Sequence, residues 1–133
     1  MNRKFADTAF YVALGSPKDA LHPRAFSFAI SPDLKVVTTE FILIEAANFF
    51  CKPVMRLQFH QLVESLRRDS VVQIIPANEE LFQRGMTLFA ARPDKEWSLT
   101  DCTSFEIMRE LGLTEALSSD HHFTQAGFIA LLA

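Results

Sequence analysis

Four acidic residues carry the chemistry this sequence offers: Asp7, Glu45, Asp101 and Asp120. Mg²⁺ and Mn²⁺ are hard cations that prefer carboxylate oxygens and keep several of their waters. Carboxylates gathered at one point repel each other and take up protons when no cation is present. A divalent ion removes that penalty. One such ion turns a bound water into a nucleophile, and a second, ~4 Å away, stabilises the leaving oxygen of a phosphodiester. The reaction is hydrolysis, and it needs no Ser, Cys or His nucleophile.

Each acid also has a local reading. Asp7 stands before Thr8, where it can cap a helix. Asp101 completes S-x-x-D from Ser98, a capping-box arrangement. Asp120 sits where a strand-ending turn often places Asp. Glu45 is the hardest to explain locally, because the helix around it is apolar on both sides and a lone buried acid is costly. The metal reading rests on all four converging at one edge of one sheet.

The elements that must bring them together can be read from periodicity and punctuation. Strands are expected at Lys4–Ala6, Lys35–Thr38, Val71–Ile75 and Leu117–Ser119, with a fifth at the edge within Gly127–Leu132. Ser16-Pro17-Lys18-Asp19 reads as the start of a helix running to about Ile30. Further helices are expected over Thr39–Phe50, Pro53–Arg68, Asn78–Ala91 and Ser98–Leu111, the last closed by Gly112. Strands separated by helices imply βαβ units, hence an α/β/α sandwich on a mostly parallel sheet of four to five strands. Sites in such sheets gather at the carboxyl ends of the strands. Asp7 and Asp120 fall directly after strands, and Glu45 and Asp101 fall in helices packing near those ends.

Composition sets the bounds. A chain of 133 residues, 49% hydrophobic and 22% charged, is expected to form one packed domain over residues 1–133. No apolar run spans a membrane. The opening MNRKFADTAF is interrupted by Asp7 and lacks a convincing small-residue cleavage site, so a cytoplasmic protein is expected. Cys51 and Cys102 form no C-x-x-C pair and imply neither a disulfide framework nor a zinc site. Thirteen Lys and Arg against sixteen Asp and Glu give −3, which disfavours broad non-specific nucleic-acid binding. Committing four acids to metal leaves 12 against 13, a balance of +1, so a small metal-dependent nuclease stays open.

Other motifs carry less. No Gly-rich phosphate loop is present. A phosphoaspartate phosphatase would want an acid two residues after Asp7, where Ala9 stands. His121 and His122 beside Asp120 suggest a transition-metal site, but neighbours on an extended segment point in opposite directions, and a turn with Phe123 in the core is preferred. Asp19 and His22 read as one face of a surface helix. The apolar helix around Phe41–Phe50 and the amphipathic one from Pro53 expose more apolar surface than a small domain covers, which predicts a homodimer.

The segments FADTAFYVAL, DALHPRA, TTEFILIEAANFF, EWSLTDCTSFEIMRELGL and ALSSDHHFTQAGF follow one another from residue 5 to 128. Through them the chain resembles the PIN-domain family of metal-dependent ribonucleases, in particular the VapC-like toxins. SLTDCTSF with DHHFTQAGF is the specific part of the match. The resemblance implies a PIN-like fold, RNA as substrate, Mg²⁺ or Mn²⁺ as cofactor, and an acidic quartet at Asp7, Glu45, Asp101 and Asp120. Thr8, Ser104 and Ser119 are the hydroxyls expected to support it; Ser119 stands where relatives often have Thr. Many members dimerise and are held inactive by an antitoxin protein. The alternative is a non-catalytic RNA- or protein-binding module on the same fold, whose mark would be lost site acids. None is lost.

Overall fold

The computed structural model describes residues 3–133. Five strands form one sheet: β1 (Arg3–Ala6), β2 (Lys35–Thr39), β3 (Val72–Ile75), β4 (Glu115–Leu117) and β5 (Ile129–Ala130). Their order is β3-β2-β1-β4-β5, and every pairing is parallel. The chain therefore winds outward from β1 to β3, then returns to lay β4 on the other side of β1. With right-handed crossovers, that reversal puts the helices of the two halves on opposite faces. It also opens a crevice at the carboxyl ends of β1 and β4.

Seven helices connect the strands: α1 (Thr8–Gly15), α2 (His22–Ala29), α3 (Glu40–Phe49), α4 (Pro53–Arg68), α5 (Glu79–Ala91), α6 (Leu99–Leu111) and α7 (His121–Gln125). Local chemistry starts four of them, α7 through Asp120 among them. Thr39, Asn78 and Ser98 each accept a backbone N–H with the side-chain oxygen, capping α3, α5 and α6. Gly112, at φ +67°, closes α6 in the left-handed conformation that glycine adopts without strain. No helix among the described residues is long and apolar enough to cross a membrane.

Three local expectations fail. The helix expected from Ser16 to Ile30 forms only in its second half, as α2 from His22; Ser16 is instead the C-cap of α1, a helix over Thr8–Gly15 that was not among those expected. Pro23 explains this. Deep in a helix begun at Ser16 it would remove a hydrogen bond and clash with the carbonyl four residues back; in the first turn of α2 it does neither. Asp19 instead makes a tight turn, its Oδ1 accepting from the Leu21 amide at 2.8 Å. The fourth strand lies at Glu115–Leu117 rather than Leu117–Ser119, which frees Ser118 and Ser119 from the ladder. His121 and His122 open α7 rather than lying on an extended segment.

The aromatic core positions the site. Phe105 of α6 packs edge-on against both Trp97 and Phe123 at centroid distances of 5.0 Å, and Phe123 meets Phe5 of β1 at 6.3 Å. All four rings are buried. This stack holds the starts of α6 and α7, where Asp101 and Asp120 sit, against the end of β1.

Candidate active site

A cavity of about 600 Å³ opens over the carboxyl ends of β1 and β4. Asp7, Thr8, Glu45, Asp101, Ser119 and Asp120 all line it, together with Asp19, Glu96, Ser98 and His122. The four acids come from four separate stretches of chain. Among the described residues six carboxylates face this space and no Lys or Arg does.

Asp7 occupies the N-cap position of α1, yet its side chain makes no cap hydrogen bond. Its Oδ2 accepts instead from Ser118 Oγ at 2.7 Å, and its own N–H donates to the Leu117 carbonyl at 3.3 Å. Asp7 thus ties β1 to the end of β4. Burial pushes its carboxyl up to about 7, against the pull of the Ser118 and Thr8 hydrogen bonds; Asp101 and Glu45 add like-charge repulsion.

Asp101 combines the local reading with the site reading. Its Oδ2 accepts from the Ser98 amide at 3.1 Å while Ser98 Oγ accepts from the Asp101 amide at 3.0 Å, a complete capping box. His122 Nδ1 lies 3.0 Å from the same Oδ2. Burial again raises this carboxyl, opposed chiefly by the Ser98 amide and reinforced by Asp120. Asp120 caps α7, its Oδ1 accepting from the His122 amide at 2.9 Å. Glu45 reaches the cavity from α3 and accepts a hydrogen bond from Thr8 Oγ1.

Of the three hydroxyls expected to support the acids, Thr8 and Ser119 line the cavity and Ser104 does not. Ser104 is fully buried and donates to the Thr100 carbonyl at 3.1 Å, satisfied within its own helix. The working hydroxyl on that side is Ser118, which bonds Asp7 and accepts from the Asp120 amide at 3.0 Å. Reading the strand two residues too late hid it. Asp19 was missed for a similar reason, since a surface helix was expected where a turn faces the cavity. Nothing in the sequence singles out Glu96.

The cations nearest the acids in sequence do not reach them. Lys4 pairs with Glu115 at 3.1 Å and Arg3 bonds Gln73 at 3.0 Å, both at the amino ends of the strands and away from the cavity. Arg24 donates from Nε to the Leu131 carbonyl at 2.7 Å.

The donor set suits Mg²⁺ or Mn²⁺, being built of hard carboxylate and hydroxyl oxygens. Burial holds two of these carboxyls, Asp7 and Asp101, above their ordinary range, and the neighbouring carboxylates add like-charge repulsion that a divalent cation would relieve. Ser118→Ala is expected to lower stability by about 1–3 kcal/mol, because it strands a buried carboxylate oxygen and a backbone amide. Thermal melting of the metal-free variant checks this.

A parallel sheet ordered 3-2-1-4-5, with acids from four segments around the β1–β4 crevice, is the arrangement of PIN-domain proteins of the VapC-like kind, and this chain is similar to them in sequence and in fold. No family model matches the sequence. The protein named 23S rRNA-specific endonuclease VapC20, from Mycobacterium tuberculosis strains CDC 1551 / Oshkosh and H37Rv, is 29% identical over 127 residues, 94% of this chain and 95% of the relative. The crystal structure of M. tuberculosis VapC20, described as a sarcin-ricin loop cleaving toxin, matches with a TM-score of 0.81 at 28% identity. That match covers 94% of this chain and 95% of the other.

Proposed function

We propose that this chain is a metal-dependent endoribonuclease that hydrolyses RNA phosphodiester bonds through Asp7, Glu45, Asp101 and Asp120. On this reading it is a cytoplasmic toxin restrained by an antitoxin protein, with residues 1–133 forming one nuclease domain. The observation that carries the proposal is the convergence of those four carboxylates on one cavity that, among the described residues, no Lys or Arg lines. The intact quartet also favours an enzyme over a non-catalytic binding module.

Asp7, Asp101 and Asp120 would hold Mg²⁺ or Mn²⁺, with Glu45 completing the set; when bound, the ion supplies an activated water and charge stabilisation at the phosphate. The chain's own groups prepare that site. Ser118 fixes Asp7, Thr8 fixes Glu45, and Ser98 with His122 fixes one oxygen of Asp101. The other oxygen, Oδ1, keeps no hydrogen-bond partner among the described residues.

RNA is then held by metal and few protein cations, so non-specific binding is weak and salt dependence shallow, each neutralised phosphate adding about 0.7 to the slope for a single strand. Selectivity comes from RNA shape and from bases that loops expose and duplexes hide. The relative's name makes large-subunit ribosomal RNA the first substrate to try. Digestion with Mg²⁺ or Mn²⁺ should give a narrow set of cuts in a loop of structured RNA, and little cutting of duplex DNA. Random degradation of all RNA, or equal cutting of duplex DNA, contradicts the substrate assignment.

The chain is also proposed to dimerise. Ile44 and Phe49 of α3 are 57% and 48% exposed, and Val54 and Leu57 of α4 are 89% and 66% exposed. No residue of α4 is buried. Such a face is expected to be covered by a second copy. Sedimentation at micromolar concentration should give a dimer, and a stable monomer at high concentration rejects it.

A further inference from the structure

The start of α7 brings two imidazoles to one carboxylate. The His122 amide donates to Asp120 Oδ1 at 2.9 Å, which folds the chain so that neither ring points away. His122 Nδ1 lies 3.3 Å from Asp120 Oδ1, and His121 Nδ1 lies 3.6 Å from the same oxygen. The two rings are 4.4 Å apart, and one ligand atom from each of the three residues falls within 4.8 Å of the others. A tetrahedral ion with bonds of about 2.0–2.1 Å places its ligands roughly 3.3 Å apart along each edge. Two of the edges in this trio already stand close to that length.

The donor types choose the metal. Two imidazole nitrogens and one carboxylate oxygen suit Zn²⁺ far better than Mg²⁺, which keeps to oxygen. Three protein ligands leave a fourth position for water, as an open zinc site does. The His121 side chain is 75% exposed, so an ion reaches the trio from solvent without any rearrangement of the core. His121 makes no contact with Asp7, Glu45 or Asp101 among the described residues, unlike His122.

We propose that Asp120, His121 and His122 form a Zn²⁺ site, distinct in its ligands from the four-carboxylate set but sharing Asp120 with it. Zinc held there withdraws Asp120 from the nuclease cluster and draws His122 Nδ1 off Asp101. Zinc is therefore an inhibitor of cleavage supported by Mg²⁺ or Mn²⁺. The binding claim stands by itself; the inhibition claim rests on the nuclease reading above.

His121→Ala separates the two. In competition against a chromophoric chelator at neutral pH, the full-length protein should take up one Zn²⁺ per chain. His121→Ala should bind it at least about 100-fold more weakly, since even residues that only support metal ligands are worth 10–100-fold. His60→Ala, removing an exposed imidazole elsewhere, should bind as the unaltered protein does. Without zinc, His121→Ala should cleave RNA at the unaltered rate; with micromolar zinc added to Mg²⁺, it should keep cleaving while the unaltered protein stops. Equal zinc affinity of His121→Ala and the unaltered protein overturns the site, as does no uptake by the unaltered protein at about 100 µM Zn²⁺. Equal zinc inhibition of both, despite weaker binding by the variant, overturns the sharing of Asp120. A protein that takes up zinc through His121 and never cleaves RNA supports the site and rejects the nuclease reading instead.

Discussion

Asp7→Asn is expected to lose RNA cleavage by about 10³-fold or more while melting at a higher temperature than the unaltered protein near neutral pH. The two effects have one cause. Asp7 is buried, and burial raises its carboxyl from 3.8 to about 7 in the fold. Between those values the unfolded chain has released its proton and the native chain has kept it. Stability from this group therefore falls as pH rises from about 4 to about 7, by at most about 4 kcal/mol at 1.36 kcal/mol per unit. Asparagine carries no such charge and can still accept from Ser118, so it recovers part of that loss, on the order of 1–3 kcal/mol. The gain should vanish near about pH 4, where both proteins are neutral at this position. A variant that loses activity and stability together at neutral pH would point to a purely structural Asp7. Calorimetry at two pH values with parallel RNA digests decides between them.

The second large effect is an opposite pH response of the metal-free and metal-loaded protein. Without divalent ions, stability should fall as pH rises through the interval in which Asp7 ionises. With Mn²⁺ or Mg²⁺ in excess it should rise over the same interval, because the ion binds the deprotonated carboxylate and must otherwise displace a proton. Asp101, also raised by burial, pushes in the same direction. At 100 times the dissociation constant, ligand binding adds ~2.7 kcal/mol, enough to read in a thermal melt. Asp7→Asn should flatten both curves. Parallel curves for the free and loaded protein would mean that the ion binds away from these acids.

How much of this was legible in the sequence depends on the scale of the signal. The strand–helix alternation, the capping Ser98 and the closing Gly112 are local and strong, and they led to the mostly parallel sandwich; the strand order that opens the crevice between β1 and β4 was not legible. The four acids were legible only as a set: each has a local explanation taken alone, and Glu45, half-buried on an apolar helix, is the hardest to explain that way. Ser118 was not, because a two-residue error in a three-residue strand turns the hydroxyl that holds Asp7 into one more ladder residue. Pro23 outweighed the helix-start signal at Ser16-Pro17, and with that Asp19 moved from a surface helix to the cavity wall. The two histidines were misjudged because a helix start folds adjacent side chains together where a strand splays them. Charge was the least legible property. Lys4 and Arg3 are close to Asp7 along the chain, yet they sit at the other end of the strand with partners of their own.

The most direct test of the central claim is cleavage of a structured RNA by the purified protein, followed first in excess EDTA and then after Mn²⁺ or Mg²⁺ is restored. A site made of carboxylates, with no nucleophile of its own, predicts no cleavage in chelator and full recovery when the ion returns. Asp101→Asn, purified in the same way, should stay inactive in both conditions and so exclude a contaminating nuclease. Cleavage that persists in EDTA with the unaltered protein, and disappears with Asp101→Asn, would contradict the metal-dependent mechanism.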